Sequence, residues 1–473
     1  MIDYAVVGSG IGGSTIAAYL HAKGFKTVLF EKEPYLGGCS STFERHGYKY
    51  NTGATTFVGY EDGHPVKQMF DAIGFTPTLI QTDPAITVIH NQKVTPRYQN
   101  VDLFLEAIQA NYPHAQHDTF WHMVYEINRS FYKVHGYYYS NASILKNILS
   151  LFSYLPLALK FRKYLYTNAM EFILDMYKDL DDEYLKFLEA QVMIVAQAPL
   201  KEINFLTAAL ALGYTFNKTY YVPGGFSTLF DGLTASIEIL NRATPVEKII
   251  KQNDHYLVCT SKEVYSAKNV ILNTTMFNSD ALFENPQIKA FYKSYEKLNN
   301  HQSSFMLYMT IKSDADFEHH YQLIQDDTYR YTLSNALFVS FSDKNDIQFA
   351  PKGHYSVTVS IHTDTRYWEN NVTYKIKKEY LKNKLIKSVC DILGIKKEQI
   401  VDQFAATPKT FARYINRSQL GGNAITMKNF LPKLPSNDTP IQGLYHVGDT
   451  VYAAQGWPGV MMGVENLKKV MHV

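Results

Sequence analysis

The chain has 473 residues, of which 46% are hydrophobic and 19% charged, a composition that argues against disorder and allows two or three domains around a large core. Its 46 basic and 44 acidic residues leave a net charge of +2, which gives no drive towards nucleic acid. The three cysteines, Cys39, Cys259 and Cys390, are scattered and odd in number, so they form neither a disulfide framework nor a zinc pattern, and a reducing cytosol suits them. Aromatics reach 14%, carried by 36 Tyr and 28 Phe, which fits either a Tyr-rich core or a large apolar cavity.

The apolar start, Met1 to Leu20, lacks the basic flank of a signal peptide. No uninterrupted apolar stretch reaches the roughly 18 residues of a membrane-spanning helix. Ile2–Val7 reads as a strand ending at Gly8. A helix pattern follows through Ile16 and Leu20 to the Lys23-Gly24 stop, and Lys26–Phe30 is a second strand ending at Glu31. This is one βαβ unit of about 30 residues. Between its first strand and helix, Gly8-Ser9-Gly10-Ile11-Gly12-Gly13 satisfies G-x-G-x-x-G. The first glycine makes the tight turn, the second admits a pyrophosphate to the backbone, and the third lets helix and strand pack closely. The helix N-terminus then meets phosphate with unpaired N–H groups and a positive dipole end, and Glu31 is placed for ribose hydroxyls. Gly37-Gly38 bring a second length of backbone to the same place and favour FAD over NAD. Cys39 after them reads as a small packed residue.

Residues 101–212 read mostly as helix. His114, His117 and His122 fall together there, but without metal-ligand spacing, and read as surface histidines. Ser143–Leu165 carries an apolar stripe of Ile144, Ile148, Leu151 and Leu155 flanked by Leu145, Leu149 and Phe152. Its only charges are Lys146, Lys160, Arg162 and Lys163, and Tyr137, Tyr138 and Tyr139 precede it. Two readings stay open: a basic amphipathic segment lying on a membrane surface, or a core helix pair broken at Pro156. Val246–Thr260 reads as strands around a polar turn at Gln252–His255, and Asn269–Asn273 as a buried strand. From Gln302 to His362 long strands alternate, with Tyr355, Val357, Val359 and Ile361 on one face and Ser356, Thr358, Ser360 and His362 on the other. Thr373–Leu393 is a helix stopped by Gly394, with a solvated lysine face. Leu444–Val447 is a last strand ending in Gly448-Asp449, and a helix runs from about Gly459 to Val470. A carboxylate at that strand end suits ribityl hydroxyls, and the helix start suits negative charge on a reduced flavin.

Gly8–Gly13, Glu31, Gly37-Gly38, Phe43, Gly47, Tyr50-Asn51-Thr52-Gly53 and Gly448-Asp449 together resemble the phytoene desaturase-type flavoproteins, within the wider superfamily of amine oxidases and GDP-dissociation inhibitors. Gly37-Gly38-Cys39-Ser40-Ser41, Gly53-Ala54-Thr55-Thr56-Phe57 and Gln455-Gly456 are similar to carotenoid isomerase and retinol saturase. Pro223-Gly224-Gly225, Thr407-Pro408 and Arg413-Tyr414 resemble the middle and late motifs of the family. The resemblance implies an α/β fold: a Rossmann-like FAD domain of the glutathione-reductase/amine-oxidase type from 1–90, 220–285 and 435–473. A substrate domain of antiparallel sheet plus helices follows from 91–219 and 286–434. The expected cofactor set is Gly8, Gly10, Gly12, Gly13, Glu31 and Lys32 from the first unit, and Gly37, Gly38, Cys39, Ser40 and Thr55 from the next segment. Val246 (beside the adenine), Asn273, Gly448, Asp449, Gly456, Gly459 and Val460 complete it.

No metal is expected. Catalytic side chains stay unassigned, because flavin N5 itself takes the hydride. The implied substrate is a long apolar polyene, carotenoid- or retinoid-like, desaturated, saturated or isomerised with an external electron donor or acceptor. The chain is expected in the cytoplasm, in part on a membrane surface, with no nucleic-acid partner. Asn51 stands where the family usually has Asp, and Trp457-Pro458 departs from its pattern. Two alternatives remain: an amine-oxidase relative with a small aromatic cage, and a non-enzymatic prenyl-chain binder, against which Gly10, Gly13, Glu31 and Asp449 argue.

Overall fold

The structure is a computed structural model that describes residues 1–132, 138–140, 143–152, 155–429, 433–452 and 456–473. Ile2–Val7 is a strand, Ile11–Ala22 a helix and Thr27–Phe30 a second strand, the βαβ unit expected from the glycine spacing. The two strands pair in parallel and are almost wholly buried, which is why they read as continuous apolar runs and do not alternate. Around them lies a seven-stranded sheet in the order Ile239–Asn241, Thr27–Phe30, Ile2–Val7, Val264–Leu272, Tyr256–Thr260, Val246–Lys251, with Leu444–His446 also paired to Val264–Leu272. The strand read as Asn269–Asn273 starts earlier, at Val264. Its first half pairs antiparallel with Tyr256–Thr260 and is partly exposed, so it lacks the apolar run that marks the second half.

The first helix packs on the last, Gly456–Met471, around Ile16, Leu20, Phe230, Trp457 and Met461. That last helix starts three residues before the expected Gly459. Pro458 sits in its first turn, where a missing N–H costs no helical hydrogen bond.

A second seven-stranded sheet runs Ile400–Ala406, Gln302–Lys312, His354–Asp364, Ala336–Phe341, His320–Ile324, Ile86–His90, Lys93–Arg97. It is antiparallel except where His320–Ile324 meets Ile86–His90. Tyr355, Val357, Val359 and Ile361 pack beneath the helix Asn371–Leu393 on Leu381, Leu385 and Val389. That helix begins two residues before Thr373 because the Asn370 side chain caps the Val372 and Thr373 amides. Because Ile86–His90 belongs to this sheet, the second unit begins before the boundary expected at residue 90.

Helices from Val101 to Leu212 bury Phe104, Trp121, Phe187, Phe205 and Phe216 in a third layer. His117 does not fit a surface reading. It shares the inward stripe of Phe120, Trp121, Val124 and Ile127, and its Nδ1 lies 2.9 Å from the Tyr177 hydroxyl. His122 is exposed.

Residues 143–165 form two helices, Ile144–Leu151 and Leu155–Tyr166. The core reading holds only for the second, which buries Phe161 and Tyr164. Ile144 is 74% exposed, Leu145 68%, Phe152 62% and Leu159 57%. Tyr139 is no surface anchor. It is buried, its hydroxyl donates to the Leu434 carbonyl, and its amide donates to Asn466 Oδ1 in the last helix. Tyr137 lies outside the described residues. No helix among the described residues is long and apolar enough to cross a membrane.

Candidate cofactor and substrate cavity

The glycine turn joins the ends of three parallel strands. Gly8 takes φ +97°, a left-handed conformation that side chains disfavour. A Cβ on Gly10 would lie 2.7 Å from Asn273 Nδ2, one on Gly12 2.8 Å from Val447 Cγ2, and one on Gly13 2.0 Å from the Gly8 carbonyl oxygen. Contacts this short are not available to real side chains, so the first helix is held on its strand by the absence of methyl groups. Gly10 caps that helix without a side-chain hydrogen bond, and no acid stands in the first turn. The open N–H groups and the helix dipole there suit an anion.

This turn opens on a cavity of about 680 Å³. Its wall includes Gly8, Gly10, Gly12, Glu31, Lys32, Gly37, Gly38, Cys39, Ser40, Thr55, Val246, Asn273, Gly448, Asp449, Gly456, Gly459 and Val460. Gly13 alone of the sequence-selected residues is not on it, being buried under Gly8 as the spacer between helix and strand. Gln455 lies outside the described residues. The cavity continues between the helical layer and the second sheet, past Ile194, Leu210, Ala211, Met306, Phe338 and Leu420.

The charged groups on the wall already have protein partners. Glu31 accepts from the Ser9 amide at 3.0 Å, from the Ser9 hydroxyl at 2.5 Å and from the Glu33 amide at 3.0 Å. Lys32 Nζ donates to the Arg413 carbonyl and to Asn416 Oδ1, both at 3.1 Å. Asp449 binds Arg417 through both oxygens, at 3.0 and 3.1 Å. Burial works against the Arg417 charge, but Asp449 outweighs it and holds the guanidinium protonated. Sequence reasoning missed Arg417: it stands in a loop outside any periodic pattern, and only its nearness to Arg413-Tyr414 marked the segment.

Burial pushes the Cys39 thiol up, which agrees with a packed residue and not a thiolate. Asn51 stays off the wall. Its Oδ1 accepts from the Thr42 hydroxyl at 2.7 Å and the Phe226 amide at 3.3 Å, an acceptor's work that needs no charge. Trp457 packs among Phe57, Phe226 and Phe230 and forms part of the cavity wall. Burial lowers the His362 pKa to about 4, so this ring on the far wall is neutral at pH 7. Among the described residues, no group of three or more His, Cys, Asp or Glu is placed to hold a metal.

Residues 6–73 match the model of the NAD(P)-binding Rossmann-like domain. Over 96% of its length the chain is 26% identical to prolycopene isomerase 1, chloroplastic, of an Oncidium hybrid cultivar, covering 81% of that protein. It is 23% identical, over 96% of its length, to 1-hydroxycarotenoid 3,4-desaturase of a Flavobacterium species, covering 95% of that protein. It is 21% identical, over 98%, to the all-trans-retinol 13,14-reductase of Danio rerio, covering 84% of that protein. The relatives fit the resemblance to the phytoene desaturase-type oxidoreductases that the motifs carry. An oxidoreductase from Methanosarcina mazei shares the fold over the whole of both chains, with a TM-score of 0.66 at 17% identity. The sheet that carries the glycine turn draws its strands from the start, middle and end of the chain.

Proposed function

We propose that the chain is an FAD-dependent oxidoreductase acting on a long apolar polyene, carotenoid- or retinoid-like, by desaturation, saturation or isomerisation. The observation that carries this reading is the distribution of charge in the cavity. Glu31, Lys32, Arg417 and Asp449 are paired with protein groups, and among the described lining residues they are the Asp, Glu, Lys and Arg side chains on the wall. A cationic amine entering the far arm meets no carboxylate on that wall, whereas a hydrocarbon gains by burying area. The names of the relatives reported above, a prolycopene isomerase, a hydroxycarotenoid desaturase and a retinol reductase, agree with this choice.

The residues present fit FAD. The turn Gly8–Gly13 offers backbone where a methyl group would fill the space, Glu31 held by Ser9 would take the ribose hydroxyls, and Asp449 with Arg417 would take the ribityl hydroxyls. Bound FAD supplies a two-electron carrier for exchange with carbon. The chain does the rest. The start of the helix Gly456–Met471 favours negative charge beside it, the apolar arm aligns the polyene and keeps water away, and the neutral His362 adds no charge to that arm.

The exposed face of Ile144, Leu145, Leu149, Phe152 and Leu159 gives a water-insoluble substrate a route from a membrane surface. Lys146, Arg162 and Lys163 border it, while Lys160 is neutralised by Glu126 at 2.5 Å. Reduction and reoxidation test the main reading. Purified protein should carry flavin absorbance. Under anaerobic conditions, one flavin state should convert a poly-cis carotenoid or a retinoid in detergent. Rapid reduction by an amine, with no polyene turnover in either state, would overturn the substrate class.

A further inference from the structure

One face of the second sheet forms part of the cavity wall. Tyr308, Thr358 and Ser340 stand in one row across neighbouring strands, Met306, Ser360 and Phe338 in the next, and Ser304 opposite His362 in the third. The first row is tied to the segment that carries Thr55: the Tyr308 hydroxyl donates to the Thr52 carbonyl at 2.5 Å, and the Ser340 hydroxyl to Thr55 Oγ1 at 2.7 Å. Beyond the third row, the Gln302 carbonyl accepts from the Leu420 amide at 3.1 Å, in the loop whose Arg417 holds Asp449. His362 is thus bracketed along its strand by two parts of the expected cofactor set.

Ser304, Met306, Phe338, Ser360 and His362 all line the cavity. The His362 side chain is half-buried and makes no hydrogen bond or ion pair among the described residues. The other titratable groups on the described wall are paired, stacked or hold their protons. Glu31, Lys32, Arg417 and Asp449 are bound to protein partners. His64 is 5% exposed, with its ring stacked on Tyr132. Burial raises the Tyr132 and Tyr214 hydroxyls to about 12 and pushes the Cys39 thiol up, so all three stay protonated at pH 7. His362 is left as a neutral imidazole with a free lone pair, its charge opposed by burial.

Desaturation breaks two C–H bonds and forms one C=C bond. One hydrogen leaves as hydride to the oxidised flavin, and the other leaves as a proton. In an arm that keeps water away, that proton needs a base on the wall. We propose that His362 is this catalytic base: a ring nitrogen takes the proton when the polyene is desaturated, and the same nitrogen returns it when a double bond is saturated. The inference rests on the polyene reading above and adds the side chain that the flavin does not replace. Opposite residues on antiparallel strands have Cβ atoms about 4.5–5.5 Å apart, which places the Ser304 hydroxyl beside the ring as an acceptor for the N–H that protonation adds. A neutral ring also suits an apolar arm better than a carboxylate would, because it costs less to take out of water.

The test has two readouts. In flavin-loaded wild type, diethyl pyrocarbonate should acylate His362, as mass spectrometry of its peptide reports, and a carotenoid added in detergent should suppress that labelling. In turnover, His362→Gln should lose at least about a hundredfold in rate, the usual span of a general base, while flavin content and carotenoid affinity by fluorescence quenching stay at wild-type values. His362→Ala should regain part of the rate with added imidazole. A His362 that stays unlabelled, or that labels equally with and without carotenoid bound, overturns the inference; so does His362→Gln that turns over polyene at the wild-type rate. Each of these leaves the polyene reading standing. Wild type that neither binds nor converts a polyene overturns both.

Discussion

Around Gly8–Gly13 the cavity wall is backbone, set by approaches that one methyl group would block. Around His64, Leu210 and Asn217 it is side chains carried on helices and loops. The first region buries its glycine turn and pairs its charges. The second leaves apolar groups exposed nearby and polar atoms unpartnered within. A wall of backbone recognises what is common to every dinucleotide, its pyrophosphate and sugars, and tolerates little change. A wall of side chains recognises one substrate and can be altered residue by residue.

The comparison breaks first at Gly13. A side chain there must displace the Gly8 carbonyl, so Gly13→Val should purify without flavin while circular dichroism still reports folded protein. Flavin absorbance equal to wild type would show that the turn does not hold the cofactor.

The exposed face on Ile144–Leu151 should respond next. Leu151→Asp combined with Phe152→Asp should release the protein from anionic vesicles in flotation, with roughly 1.5–3 kcal/mol lost for each side chain. Wild type that stays in solution with those vesicles would remove the membrane role.

Asp449→Ala follows. It leaves Arg417 buried without a partner and should cost about 3–5 kcal/mol in chemical denaturation, along with weaker flavin binding. Adding Arg417→Met should restore much of the stability but not the flavin. If it restores both, the carboxylate serves only the ion pair.

The smallest effect is expected at His446, in the last strand of the dinucleotide unit. Both its ring nitrogens lack partners among the described residues, and burial lowers its pKa to about 3. The unfolded chain takes up this proton near pH 6.5 and the folded one only near 3, so His446 weakens the fold as pH falls between those values. At pH 5 the loss is about 2 kcal/mol relative to pH 7. His446→Leu should therefore flatten the fall in melting temperature between pH 7 and pH 5. An unchanged slope would place the acid sensitivity elsewhere.

The same contrast explains what the sequence disclosed. Gly10 and Gly12 are legible because backbone geometry admits a single residue type at a fixed spacing, and the strands beside them are legible because full burial writes an apolar run. Glu31 and Asp449 follow from their places at strand ends. Arg417 is not legible: a loop arginine looks the same whether it faces water or Asp449. Nor is the stacking of His64 on Tyr132, which only the tertiary fold brings together. The burial of His117 escapes local spacing for a related reason, since only the fold brings Tyr177 to it.

The strand Val264–Leu272 lies between Ile2–Val7, made at the start of the chain, and Leu444–His446, made near its end. On the ribosome, then, the glycine turn emerges long before the strand that carries Gly448 and Asp449, and the helical layer and second sheet are synthesised in the interval. The early βαβ unit keeps its sheet edges unpaired until Ile239–Asn241 and Val264–Leu272 are made, a little past half-way along the chain. Until then two buried apolar strands with open edges are exposed to pairing with other chains, so the order of synthesis itself places an aggregation hazard at the start of the chain.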